Sequence, residues 1–152
     1  MPRFIILIIL AIVALAIAAC AHKAEAPTPS PSPSETPFPN VCLPNPDPAT
    51  SEFQILAAPD PLAEVTSPVT VSGQINAFEA TYRITIFNDA GAPIIETFGT
   101  AQQPDVGVLG PFSSDLAFSV SAPSPACIWV FEESARDGDP INVGQIPVVL
   151  LP

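Results

Sequence analysis

Positive charge is what this sequence has least of. Four lysines and arginines stand against 15 aspartates and glutamates in 152 residues. Without a basic patch, nucleic acid and anionic lipid headgroups are poor partners on electrostatic grounds. Histidine is nearly absent: His22 is the only one. It lies far from every folded-looking stretch, so a Ser/His or Cys/His mechanism would have no base. No C-x-x-C pair, H-E-x-x-H motif or glycine-rich phosphate loop occurs, which removes the common zinc and nucleotide signatures. Helical periodicity is missing too. With one tryptophan, the chain gives no sign of the sugar-binding cleft and paired acids that glycoside hydrolysis needs.

What is present begins with "MPRFIILIILAIVALAIAAC". One positive charge, Arg3, precedes an unbroken apolar run from Phe4 to Ala19. That run is short for a membrane span of about 20 residues and fits the apolar region of a secretory signal. Its end, Ile17–Cys20, puts small residues before a cysteine. This is similar to the lipobox of bacterial lipoproteins, in which the cysteine thiol takes a diacylglyceryl group and the signal is cut just before it. The resemblance implies a signal peptide over residues 1–19 and lipid attachment at Cys20. The alternative is an uncleaved N-terminal anchor with an incidental cysteine. Both readings export the rest of the chain, and the first leaves it lipid-anchored on the outer face of the cell membrane. The mean hydropathy of +0.43 largely reflects this leader. Loss of Arg3 with the leader takes the net charge from −11 to −12.

If Cys20 carries lipid, Cys42 and Cys127 remain, an even number in an oxidising compartment. A bridge between them would close a loop of about 85 residues, for which chain entropy gives roughly 4–5 kcal/mol. Two separate thiols are the other reading.

Residues 20–50 are dense in Pro, Ser and Thr, as in "EAPTPSPSPSETPFPNVCLPNPDPAT". Such a segment buries too little apolar surface to offset its ordering entropy, and is expected as a disordered, partly polyproline II tether. As a flexible coil it would reach about 30 Å, and fully extended about 90 Å.

From residue 51 to 152 the pattern changes to period two. Val69, Val71 and Ile75 share one face of "VTVSGQI"; Tyr82, Ile84 and Ile86 share one face of "TYRITIFN". Phe112, Leu116, Phe118 and Val120 alternate with polar or small residues. Half-buried antiparallel strands carry this signature. "CIWVF" is apolar on both faces and reads as a central strand, with Trp129 in the core rather than on a ligand platform. In "IPVVLL", Pro147 places the last strand at an edge or a bulge. Turn signals at "NDAG", "QQPD", "APSP" and "DGDP" separate the runs. The expectation is all-β: an immunoglobulin-like antiparallel β-sandwich of about seven strands.

Three stretches, "SPVTVSGQINAFEATYRITIFNDAG", "LGPFSSDLAFSV" and "WVFEESARDGD…IPVVL", carry a family likeness. The pieces are Ser67-Pro68 with Val71 and Gly73, Phe78-Glu79-Ala80, Asp89 with Gly91, Gly110 with Phe112, and Ser134 with Asp137-Gly138. In this order, over about residues 53–150, the chain resembles the immunoglobulin-like domain of bacterial spore germination proteins. The resemblance implies an immunoglobulin-like fold, a cell-envelope setting, and neither a catalytic residue nor a cofactor.

The acid-rich stretch "FEESARDGDP" has two further readings. Ser134 and Asp137 are spaced as a capping pair, and Gly138 supplies a left-handed residue, so the stretch reads as one capped turn. Alternatively Asp137, Asp139 and Asn142 offer oxygen ligands for calcium, though not at EF-hand spacing. Glu79 has two readings: its carboxylate pins this turn, accepting from amides of residues 134–138 or pairing with Arg136, or it is an exposed acid whose removal changes stability by less than about 0.5 kcal/mol. The function expected is a non-enzymatic module that binds an envelope protein or wall polymer. A calcium-stabilised adhesion module and an envelope-polymer hydrolase are the alternatives.

Overall fold

A computed structural model of the chain describes residues 40–152. The expected signal peptide, Cys20 and most of the expected tether lie outside the described residues. Eight strands run β1 (Gln54–Ala58), β2 (Ala63–Val65), β3 (Val69–Ile75), β4 (Thr81–Asn88), β5 (Pro93–Thr100), β6 (Gly110–Leu116), β7 (Ser124–Glu133) and β8 (Pro140–Leu150). They form two sheets, ordered β1-β3-β6 and β2-β8-β7-β4-β5. Among the described residues no helix is long and apolar enough to cross a membrane.

The inner faces follow from residue parity. Val69, Val71 and Ile75 of β3, Tyr82, Ile84 and Ile86 of β4, and Phe112 and Leu116 of β6 are buried in one core with Ala126, Ile128 and Val130 of β7. Burying a large apolar side chain contributes about 1.5–3 kcal/mol, so these positions carry most of the drive to close the sandwich. Phe118 and Val120 lie beyond β6 and are only partly buried against this core.

Two departures concern pairing. The sandwich is not wholly antiparallel, because β2 runs parallel to β8, with Ala63 opposite Val148 and Val65 opposite Leu150. Three residues are too few to show a period, so nothing in "AEV" announced a strand. Strand β8 also starts at Pro140, six residues before the "IPVVLL" run. Its early half is masked by Asn142, which takes φ 50°, and by Gly144. Without a Cβ, Gly144 leaves room for the ends of the Gln54 and Leu56 side chains to lie against β8.

Residues 42–50 do not belong to a disordered tether. Cys42 is joined to Cys127 by a disulfide, with Cα atoms 5.0 Å apart. Beyond it the chain lies along β8. Asn45 Nδ2 donates to Val143 O at 2.8 Å, Val143 N to Asp47 O at 2.7 Å, and Ala49 N to Val143 O at 3.1 Å. Asn142 N donates to Asp47 Oδ2 and Gln145 Nε2 to Leu43 O. The composition misleads for a physical reason. Pro44, Pro46 and Pro48 lack donors, but they also restrict the unfolded chain, so ordering this strap costs less than ordering a flexible linker. The residues between them, Asn45 and Asp47, supply the hydrogen bonds.

This strap explains why β7 is apolar on both faces. Cys127, Trp129 and Phe131 point away from the main core into a second cluster with Val143, against which Cys42 and Phe87 pack. Phe87 meets Trp129 edge-on at 5.0 Å between ring centroids. It also explains Pro147. Its carbonyl accepts from Leu62 N, just where the partner of β8 changes from the strap to β2. A residue without an N–H is tolerated at that gap.

Candidate functional site

One end of the sandwich carries an open cleft of about 710 Å³. Five segments meet there: the residue before β1, the turn between β3 and β4, the loop between β5 and β6, the end of β7 and the start of β8. The loop is held by Gln103. Its Oε1 accepts from Ala77 N at 3.2 Å, and its Nε2 donates to Asn76 Oδ1 and Val108 O at 3.2 Å each. The walls are apolar and open: Phe78 is 74% exposed, Val106 94% and Phe53 38%. Large apolar side chains left in water around a concavity are a mark of interaction surfaces.

The backbone around the cleft is unusual. Glu79, Ala80 and Asn142 have φ of 53°, 57° and 50°, and Gly107 has 82°. Left-handed non-glycine residues cost free energy and gather where function requires a particular geometry. For Asn142 the cause is visible. Val130 pairs with Gly144 and Glu132 with Ile141, so β8 spends one extra residue opposite β7. That bulge turns the Asn142 side chain toward Glu132.

Glu132 lies at the floor of the cleft, 7% exposed. Its Oε2 accepts from Phe78 N at 2.7 Å and its Oε1 from Asn142 Nδ2 at 2.9 Å. It thus ties the β3–β4 turn to β8. Parity could have found it: Ala126, Ile128, Val130 and Glu132 fall on the same face of β7, so the last of them is an acid in register with the core.

The contact expected of Glu79 is not made, and the carboxylate that does fix a turn at this end, Glu132, holds the β3–β4 turn to β8 rather than the 134–138 turn. Glu79 is exposed, and among the described residues its carboxylate enters no hydrogen bond with the 134–138 turn. Its left-handed backbone directs the side chain outward while its neighbour Phe78 offers the amide that Glu132 takes. Arg136 turns to Asp137 instead, with Nε to Oδ2 at 2.8 Å.

The stretch from Ser134 to Gly138 forms a turn between β7 and β8. Gly138 has φ 80°, and its N–H donates to Ser134 O at 2.8 Å. Ser134 Oγ accepts from Arg136 N, two residues on rather than three. Hydrogen bonding from the Ser134 hydroxyl, then from Arg136, holds the Asp137 carboxyl below its ordinary value. The Asn142 amide nitrogen donates to Glu132, away from Asp137 and Asp139 in the turn. Among the described residues no three His, Cys, Asp or Glu side chains converge as metal ligands.

The family comparison agrees with the architecture. A family model described as the immunoglobulin-like domain of bacterial spore germination matches residues 55–139. Among solved structures the chain is similar to CopC from Methylosinus trichosporium OB3b, at 17% identity, over 66% of this chain and 95% of that one, with a TM-score of 0.39. No curated protein matches the chain.

Proposed function

The chain belongs to the family of the immunoglobulin-like domain of bacterial spore germination, and from that membership we propose a non-enzymatic binding module of the bacterial cell envelope. Export by the leader at residues 1–19 and lipid attachment at Cys20 hold it on the outer face of the membrane. The proline-rich residues before Cys42 act as the spacer that lifts the sandwich off the bilayer. Two acyl chains give stable anchoring, at about 0.8 kcal/mol per buried methylene.

The observation that carries the binding role is the cleft bounded by Phe53, Phe78 and Val106. Its walls stand on a rigid sandwich, and its floor is fixed by Glu132. The occupant is an envelope protein: a partner surface of apolar side chains fits these walls, and an anionic wall polymer is disfavoured beside their carboxylates. A photo-crosslinking residue placed at position 106 in living cells should capture a discrete partner. The same residue at position 89, in the turn at the opposite end of β4, should capture none. Equal capture at both positions, or none at 106, contradicts the reading.

A further inference from the structure

Every charged side chain lining the cleft is acidic: Glu79, Asp105 and Glu132. Arg83 lines an adjoining pocket with Phe78, Glu79 and Glu132, but both cations among the described residues are paired with other acids. Arg83 pairs with Glu96 at 3.2 Å and Glu133 at 2.7 Å, and Arg136 with Asp137 at 2.7 Å. Glu132 is the decisive member. It is buried and held by a backbone amide and a side-chain amide, both neutral donors, and among the described residues it forms no salt bridge. A buried carboxylate that lacks a cation carries a desolvation cost that an incoming ammonium or guanidinium group can offset.

From these facts, and resting on the binding role proposed above, we infer that the cleft receives a lysine- or arginine-bearing segment of a partner polypeptide. Its cation faces Glu132, and its aliphatic stem and neighbouring apolar side chains lie against Phe78 and Val106. Long basic side chains have this dual character, with an apolar stem and a charged tip. The exposed ring of Phe78 adds a face on which a cation can rest. Glu79 and Asp105, both exposed at the rim, supply attraction at longer range. The overall excess of acids steers a basic segment toward the domain without fixing where it docks; the cleft fixes where.

The test uses the full chain in phosphatidylcholine nanodiscs, with protein-free nanodiscs as the blank. The probes are two fluorescein-labelled pentapeptides of alternating residues, one of lysine and leucine, the other of glutamate and leucine. The lysine peptide should bind, more weakly as salt rises, and the glutamate peptide should not. Glu132→Gln should weaken the lysine peptide about 30-fold, as expected for one half of a desolvated charge pair. Because that substitution also removes an internal acceptor, the exposed pair Glu79→Gln with Asp105→Asn is measured beside it. It should weaken binding about threefold, as a rim change does. Equal binding of both peptides, binding of neither, or affinity unchanged by both sets of substitutions overturns the inference. The cross-link at position 106 is scored separately. A partner captured there while the lysine peptide fails overturns the charge preference alone, whereas no partner overturns the binding role itself.

Discussion

Replacing Cys42 by alanine perturbs the fold at its most constrained point. The disulfide spans 85 residues of sequence. In the chain-entropy model, closing a loop of that length restricts the unfolded chain by about 4.6 kcal/mol at 25 °C. Domains of this size have about 5–15 kcal/mol in total, so the loss is a large fraction of the whole. The structure adds a local consequence. Without the link, residues 42–50 keep only their hydrogen bonds to β8, and the cover over Trp129 and Phe131 loosens. Because Trp129 is the only tryptophan, its emission reports on that cover directly. Urea unfolding of the Cys42→Ala chain, followed by tryptophan emission, should show a stability lower by about 4–5 kcal/mol. Its native-state emission should shift to the red. A loss below about 1 kcal/mol, or emission identical to that of the unaltered chain, would refute the view that the strap is structural.

Other expectations follow from single groups. Glu132→Ala should lower stability by about 1–3 kcal/mol, by leaving Phe78 N and Asn142 Nδ2 without their acceptor, whereas Glu79→Ala should change it by less than about 0.5 kcal/mol; denaturant melts of equal midpoint would contradict this. Asp137 should titrate below the ordinary 3.8 when its carboxyl carbon is followed by NMR. Its folded-state value is depressed, so its small stabilising effect is complete above the unfolded value and fades as pH falls through the folded one. Ser134→Ala should move its titration back toward 3.8, and an unmoved curve would remove the hydroxyl as the main cause. Mass spectrometry of the mature protein should find an acylated N-terminus at Cys20, and a native N-terminus at Met1 would exclude lipid attachment there.

Strands β3 and β4 could be read from their residues because one face of each is buried and the other is wet, which writes a period of two into the chain. Strand β7 was legible as a strand, but the reason for its second apolar face was not. That reason lies in residues 42–50, whose prolines and polar side chains look like linker until the disulfide and β8 are in place. The parallel pairing of β2 with β8 leaves no local trace, since three residues show no alternation. At the site, Glu79 stands out in the sequence because it interrupts an apolar segment. A positive φ, which no residue pattern displayed there, turns it outward. Glu132, five residues before Asp137, carried a usable signal in its parity with Val130, but the cluster of acids around it obscured that signal.

The central claim is that one end of this immunoglobulin-like sandwich is a docking site. In-cell photo-crosslinking from position 106, with position 89 as the control, tests it most directly. A discrete adduct from 106 that is absent from 89, and that is lost when Phe78 is replaced by serine, is the result the account predicts. Adducts of the same size and yield from both positions, or from neither, would contradict it.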